Sequence, residues 1–212
     1  MGIGKKGFTL VEIIVSLAIM TIVAGAVGAF VVAGNNSYMR GNKELTLQEE
    51  AQLTANQMID LIIDVEKGIS FSNLTDQEAV DVDGNVAKDV NGMEVTNASV
   101  SELRLINNDN SYMIRWQGGA GADYADANQV YLYEVTNTKD GEGKVVVGDF
   151  DAAKPALMAE HVSSFSVDLS ELDKRKVVLN MTFTYQDKSY DISETIKLRN
   201  DLSSEPSSIY SW

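Results

Sequence analysis

Lys5-Lys6-Gly7-Phe8-Thr9-Leu10-Val11-Glu12, followed at 13–33 by IIVSLAIMTIVAGAVGAFVVA, decides the architecture of this 212-residue chain. From Ile13 to Ala33 no residue is charged, and only Ser16 and Thr21 are polar. A run of that length crosses a bilayer as a helix, since the hydrocarbon core needs about 20 apolar residues. Glu12 is the one charge between Lys6 and Arg40. A carboxylate at membrane depth costs roughly 2.5–3.5 kcal/mol at a helix centre and less near an end, so it needs a partner or a task. The two lysines precede the run and a mixed segment follows it (Arg40, Lys43, Glu44, Glu49, Glu50). The positive-inside rule therefore places residues 1–7 in the cytoplasm and the rest of the chain outside.

The helical pattern continues past the apolar run. Gly34-Asn35-Asn36-Ser37 looks like a break, yet Leu47, Ala51, Ala55, Met58, Ile62 and Val65 recur at steps of three and four. Such spacing marks one apolar face of an amphipathic helix. Gly68 offers a natural stop, so the spacing predicts a single helix from Phe8 to Lys67. Its first half is apolar all round, and its second half has one stripe to bury against a domain.

Beyond residue 68 the chain turns to β patterns. Residues 69–100, rich in Asp, Asn and Gly, read as a connecting loop with one short hairpin near Val82–Val90. Asp81, Asp83 and Asn85 sit in a DVDGN sequence that faintly resembles a calcium loop. The EF-hand spacing of glycine and closing glutamate is missing, which favours a solvated Asp-Gly turn. From residue 101 the period becomes two. Leu103 and Leu105 share one face, and after Asn107-Asn108-Asp109-Asn110 the residues Tyr112, Ile114 and Trp116 share another. Gly118-Gly119-Ala120-Gly121 reads as a flexible loop without the flanking elements of a phosphate cradle. Val130–Val135 is a strand, turned back by Asp140-Gly141-Glu142-Gly143 into Lys144–Val147. Val162, Phe165, Val167 and Leu169 lead through Glu171–Lys174 to an alternating strand at Val177, Leu179, Met181, Phe183 and Tyr185. Another follows at Tyr190, Ile192, Ile196 and Leu198. Alternation of this kind gives an antiparallel sheet with one buried and one wet face. The predicted class is α+β: a long N-terminal helix, its apolar half projecting, packed on an antiparallel β-sheet domain. The divisions are 1–7, 8–34, 35–68, 69–100, 101–200 and a polar tail at 201–212.

Composition narrows the chemistry. Seventeen basic against 31 acidic residues give a net charge of −14, which repels nucleic acid phosphate. There are no cysteines, which excludes disulfides, thiol catalysis and cysteine-based zinc sites. His161 is the single histidine and reads as structural. No nucleophile elbow, zinc motif or nucleotide loop is present, so no catalytic residue, metal or cofactor is expected. Trp116, Tyr131 and Tyr133 would make either a ligand-stacking face or ordinary cross-strand pairs, the second being preferred.

The basic head, Gly7-Phe8, Glu12 and the long apolar run together resemble the class III leader of type IV prepilins and pseudopilins. The resemblance implies a cut after Gly7 by a membrane prepilin peptidase and methylation of the new amino terminus at Phe8. It further implies that Glu12 pairs with a neighbouring subunit's terminal amine during assembly. The partners implied are that peptidase, other pilin or pseudopilin subunits, an assembly platform protein, and membrane lipid before assembly; nucleic acid is not among them. The chain departs from many Gram-negative pilins in having no C-terminal disulfide, and from many major pilins in having no proline in the helix. The first departure favours a minor subunit or a Gram-positive source, and the second leans towards a minor subunit. The ending from Val162, Phe165 and Val167 through two strands to Leu198-Arg199-Asn200 also resembles the larger minor pilins and pseudopilins. The second reading is a single-pass membrane-anchored extracellular binding protein, in which Gly7-Phe8 and Glu12 have no role.

Overall fold

The computed structural model describes residues 9–89, 91–96, 98–118 and 127–202. It contains one helix, α1 (Leu10–Ile63), then ten strands: β1 (Gly68–Gln77), β2 (Ala98–Ile106), β3 (Asn110–Gly118), β4 (Gln129–Thr136), β5 (Thr138–Lys139), β6 (Val145–Val146), β7 (Ala156–Ala159), β8 (Val162–Asp168), β9 (Lys176–Tyr185) and β10 (Lys188–Lys197). The fold is α+β and every strand pair is antiparallel. Two compact units divide the chain at residue 45.

The first unit is the apolar part of α1. Its large side chains are open all round, from Leu10 and Val11 to Phe30 and Tyr38. No break occurs at Gly34 or Asn35, because helix continuity there needs only that the residues tolerate helical angles, and nothing crowds Gly34.

The second unit starts at Thr46. Here α1 buries Leu47, Ala51, Ala55, Met58 and Ile62, with Thr54 beside them. The spacing expected from the sequence is thus the buried stripe, and Val65 joins it just past the helix. Met58 and Ile62 are wholly enclosed; truncating either to alanine is expected to cost about 2–5 kcal/mol.

Two sheets supply the other side of that core. The larger has the strand order β1-β2-β3-β4-β7, and the smaller β10-β9-β8. Leu103, Leu105 and Ile114 from the first meet Phe165, Leu179, Met181 and Phe183 from the second in one cluster with the helix stripe. The Trp116 indole N–H donates to the Val162 carbonyl at 2.6 Å, tying β3 to the start of β8.

Three expectations are corrected. Residues 69–77 are strand, not loop: β1 pairs with β2 from Gly68↔Ile106 to Leu74↔Val100. Its exposed polar side chains, Ser70, Ser72 and Asn73 among them, leave too little apolar alternation to announce it. Second, α1 stops at Ile63 rather than Lys67. The Ile63 carbonyl accepts from Arg199 N–H at 3.0 Å, and the Val65 carbonyl from the Asn200 side chain at 2.9 Å. Remote partners therefore take over the carbonyls that a longer helix would use. Third, the sheet is not wet on its second face. Met113, Tyr131, Tyr133 and Val135 are buried there with Phe150, and Val100 with Ala79, Ala87 and Val95. The two excursions that leave the sheet, 78–97 and 137–155, fold back over it.

The first excursion is a repeat. Residues 79–86 (AVDVDGNV) and 87–94 (AKDVNGME) each form a tight turn of the same construction. Ala79 N–H donates to Val95 O at 3.0 Å, Val95 N–H to Ala87 O at 2.9 Å, and Ala87 N–H to Ala79 O at 2.9 Å. Three buried residues, eight apart, thus close a ring of hydrogen bonds. Gln117 fastens the ring to the sheet: its side-chain N–H donates to Val80 O at 2.7 Å, and its oxygen accepts from Val80 N–H at 2.6 Å.

Candidate functional site: the start of the apolar helix

Thr9 begins the described chain and precedes the first helical residue. Its hydroxyl accepts from Glu12 N–H at 3.3 Å. The Glu12 carboxylate in turn accepts from Thr9 N–H at 3.3 Å and lies 3.4 Å from the Thr9 hydroxyl. This reciprocal arrangement is a capping box, in which two orphan donors of the first turn are satisfied by side chains. A carboxylate in the first turn also faces the positive end of the helix dipole. The Thr-x-x-Glu spacing ahead of an apolar run is the signal in the sequence that announces such a box, beside the more conspicuous charge of Glu12. Gly7 and Phe8, expected as the cut and the methylated terminus, lie outside the described residues.

From Ile13 to Ala33 the helix presents hydrocarbon apart from two hydroxyls. Its two polar side chains turn inward on the backbone: Ser16 donates to Glu12 O at 2.7 Å, and Thr21 to Ala18 O at 2.8 Å. No side-chain hydroxyl in the run is left to water, as a segment in lipid requires. The helix is long and apolar enough to cross a membrane. Within residues 10–45 every large apolar side chain from Leu10 to Leu45 is at least half exposed. A soluble monomer does not leave such a surface uncovered.

Elsewhere the expected alternatives dissolve into structure. Trp116 pairs with Val130, and Tyr131 with Arg115, so the register sends Trp116 to the helix side of the sheet and both tyrosines to the other. The three rings share no stacking face. Burial pushes the Tyr133 phenol above its ordinary range, against the pull of Arg115. On the same outer face Glu102 is buried between two arginines, 2.8 Å from Arg104 and 3.8 Å from Arg115, and Arg115 also donates to Glu78 O at 2.7 Å. These contacts hold the covering excursion down. His161 has a left-handed backbone (φ 59°), lies 3.1 Å from Glu50, and stacks edge-on with Tyr185. The Asp81 carboxylate accepts the N–H groups of Asp83 and Asn85, both at 2.9 Å, so it serves a turn. Among the described residues no group of three or more histidine, aspartate or glutamate side chains is arranged to hold a metal.

Comparison with known proteins agrees on one stretch. Residues 4–28 match the prokaryotic N-terminal methylation motif. No curated protein and no solved structure matches the chain.

Proposed function

We propose that this chain, whose residues 4–28 are the class III leader of type IV pilins, is a minor pilin or pseudopilin. In this reading it is a structural subunit of a type IV pilus or of a related secretion or DNA-uptake filament. A prepilin peptidase cuts after Gly7 and methylates Phe8. The apolar part of α1 holds the subunit in the membrane, single-pass with its N-terminus in the cytoplasm. It then passes into a bundle of like helices at the cell surface. The observation that carries the reading is continuity: the methylation motif runs without a break into a helix whose apolar side chains are open on all sides. Lipid before assembly and sister helices afterwards are the two environments that cover such a surface.

Glu12 is the registering residue. Thr9 satisfies its carboxylate within the isolated subunit, and a neighbour's Phe8 amine replaces that weak local bond in the bundle. An ammonium–carboxylate pair adds the attraction between two full unit charges, which the Thr9 N–H does not supply, and this favours the exchange in a setting without water. The motif's family is structural rather than enzymatic, and pilins as a family meet other pilin subunits and a prepilin peptidase. An assembly platform protein completes the proposed partners.

Co-expression with a prepilin peptidase tests the proposal. Intact mass is expected to show loss of residues 1–7 and one added methyl group. An uncut chain would overturn it and favour the anchored binding protein.

A further inference from the structure

We propose that Asn91–Gly92, the one Asn-Gly step in the chain, is a deamidation site whose rate is set by the turn that Asp89 holds together. Asn91 and Gly92 are exposed, and nothing lies within 4 Å of where a Gly92 side chain would be. The reaction is intramolecular. The Gly92 amide nitrogen gives up its proton to solvent base and bonds to Cγ of Asn91. The Cγ–Nδ2 bond breaks and ammonia leaves. Water then opens the cyclic imide at one carbonyl or the other, leaving an aspartyl or isoaspartyl residue at position 91.

In the folded chain the nucleophile is occupied. Gly92 N–H donates to Asp89 O at 2.9 Å. The Asp89 carboxylate accepts from Asn91 N–H at 2.8 Å and Met93 N–H at 2.9 Å, and it takes the Asn91 side-chain N–H at 3.3 Å. Attack therefore waits for the turn to open. The fate of the product is visible eight residues upstream. There Asp83–Gly84 occupies the equivalent place: Gly84 N–H donates to Asp81 O at 3.0 Å, and Asp81 accepts from Asp83 and Asn85. Gly84 and Gly92 share the same left-handed backbone, φ +84° and +80°. The first repeat thus already has the Asp-Gly step that aspartyl formation gives the second, so the backbone turn accommodates that product; it gives up the Asn91 side-chain bond to Asp89, where Asp83 instead faces Lys154 at 3.7 Å. The isoaspartyl product lengthens the main chain by one methylene within the turn and cannot keep all of its bonds. It pulls on the ring closed by Ala79, Ala87 and Val95.

The test uses the full chain in detergent micelles at mildly alkaline pH. Peptide mass would follow the amide-to-acid change at position 91, and isoaspartyl methyltransferase labelling the rearranged product. The native chain is expected to convert about tenfold or more slowly than the chain in urea. Asp89→Ala is expected to recover about tenfold, the scale of one or two hydrogen bonds lost from the turn. Asn91→Asp is expected to keep the native melting temperature. Equal rates in native buffer and urea would overturn the gating, as would an Asp89→Ala variant no faster than the parent. A destabilised Asn91→Asp would overturn the fit of the product. If Asp89→Ala does not fold, the urea comparison and Asn91→Asp decide the matter.

Discussion

Glu50 and His161, 111 residues apart in sequence, meet with the glutamate Oε2 at 3.1 Å from the imidazole Nδ1. The other oxygen of Glu50 accepts from Glu160 N–H at 2.6 Å. One carboxylate on α1 therefore holds both the backbone and the side chain of the corner between β7 and β8. His161 sits there at φ 59°, a conformation that side-chain-bearing residues adopt at a cost. Glu50→Ala is expected to lower unfolding stability by about 1–3 kcal/mol, because a polar donor loses its acceptor. Glu50→Gln keeps an acceptor for Glu160 N–H and should cost less than about 1 kcal/mol, the range of partly exposed ion pairs. Urea melts of the two variants check the order; equal losses would show that charge, not the acceptor, matters.

Gln117 is wholly buried and returns both hydrogen bonds of Val80. Gln117→Leu keeps the volume but strands the two backbone groups, at a cost of about 2–4 kcal/mol. The excursion at 78–97 should then lift first. Limited trypsin digestion, which cuts after the exposed Lys88, is expected to run faster in the variant while the strands on the helix side stay protected. Unchanged digestion would mean that the ring holds itself.

Acid should loosen the same excursion. Backbone N–H groups hold two carboxyls below the usual aspartate range, that of Asn85 first at Asp81 and that of Met93 first at Asp89. A lowered folded pKa stabilises above the unfolded value, about 3.9, and that contribution disappears as pH falls through the folded value. Amide protection at Asn85 and Met93 is therefore expected to fall progressively as pH drops below about 4. Asp81→Asn and Asp89→Asn should flatten the profile at their own turns.

At the other end of the chain, Thr9→Val removes one partner of the capping box and is expected to weaken the first turn of α1 by about 1 kcal/mol. Faster amide exchange at Val11–Ile13 in detergent is the readout. Glu12→Ala should be cut and methylated normally under the proposed function, yet enter filaments poorly. Normal incorporation would remove the pairing role from Glu12 and leave only the cap.

How much of this was legible in the sequence depended on whether one face or two were buried. The helix stripe from Leu47 to Ile62 could be read directly, because α1 buries one side. The same holds for Val177, Leu179, Met181 and Phe183 in β9. In β2 burial falls on both faces, and Glu102 and Ser101 are enclosed beside Leu103. A buried glutamate looks like a wet one in a sequence until its arginines and its covering loop are known. β1 went unseen because an edge strand needs few apolar residues. The end of α1 went unseen because its partners, Arg199 and Asn200, lie more than a hundred residues away. At the candidate site the charge of Glu12 was legible; the use of its carboxylate by Thr9 required reading the spacing as a cap.

The fastening of α1 by Arg199 and Asn200 has a consequence for the order of synthesis. The helix is made before the strands, and the groups that donate to the carbonyls of Ile63 and Val65 follow more than a hundred residues later. Strand β10 and Leu198, which close the core over the stripe, come from that same later stretch. Until that stretch has left the ribosome, Met58 and Ile62 lack part of their cover, and folding must wait on contacts distant in sequence. The amphipathic half of α1 therefore stays only partly enclosed until β8, β9 and β10 have all been made.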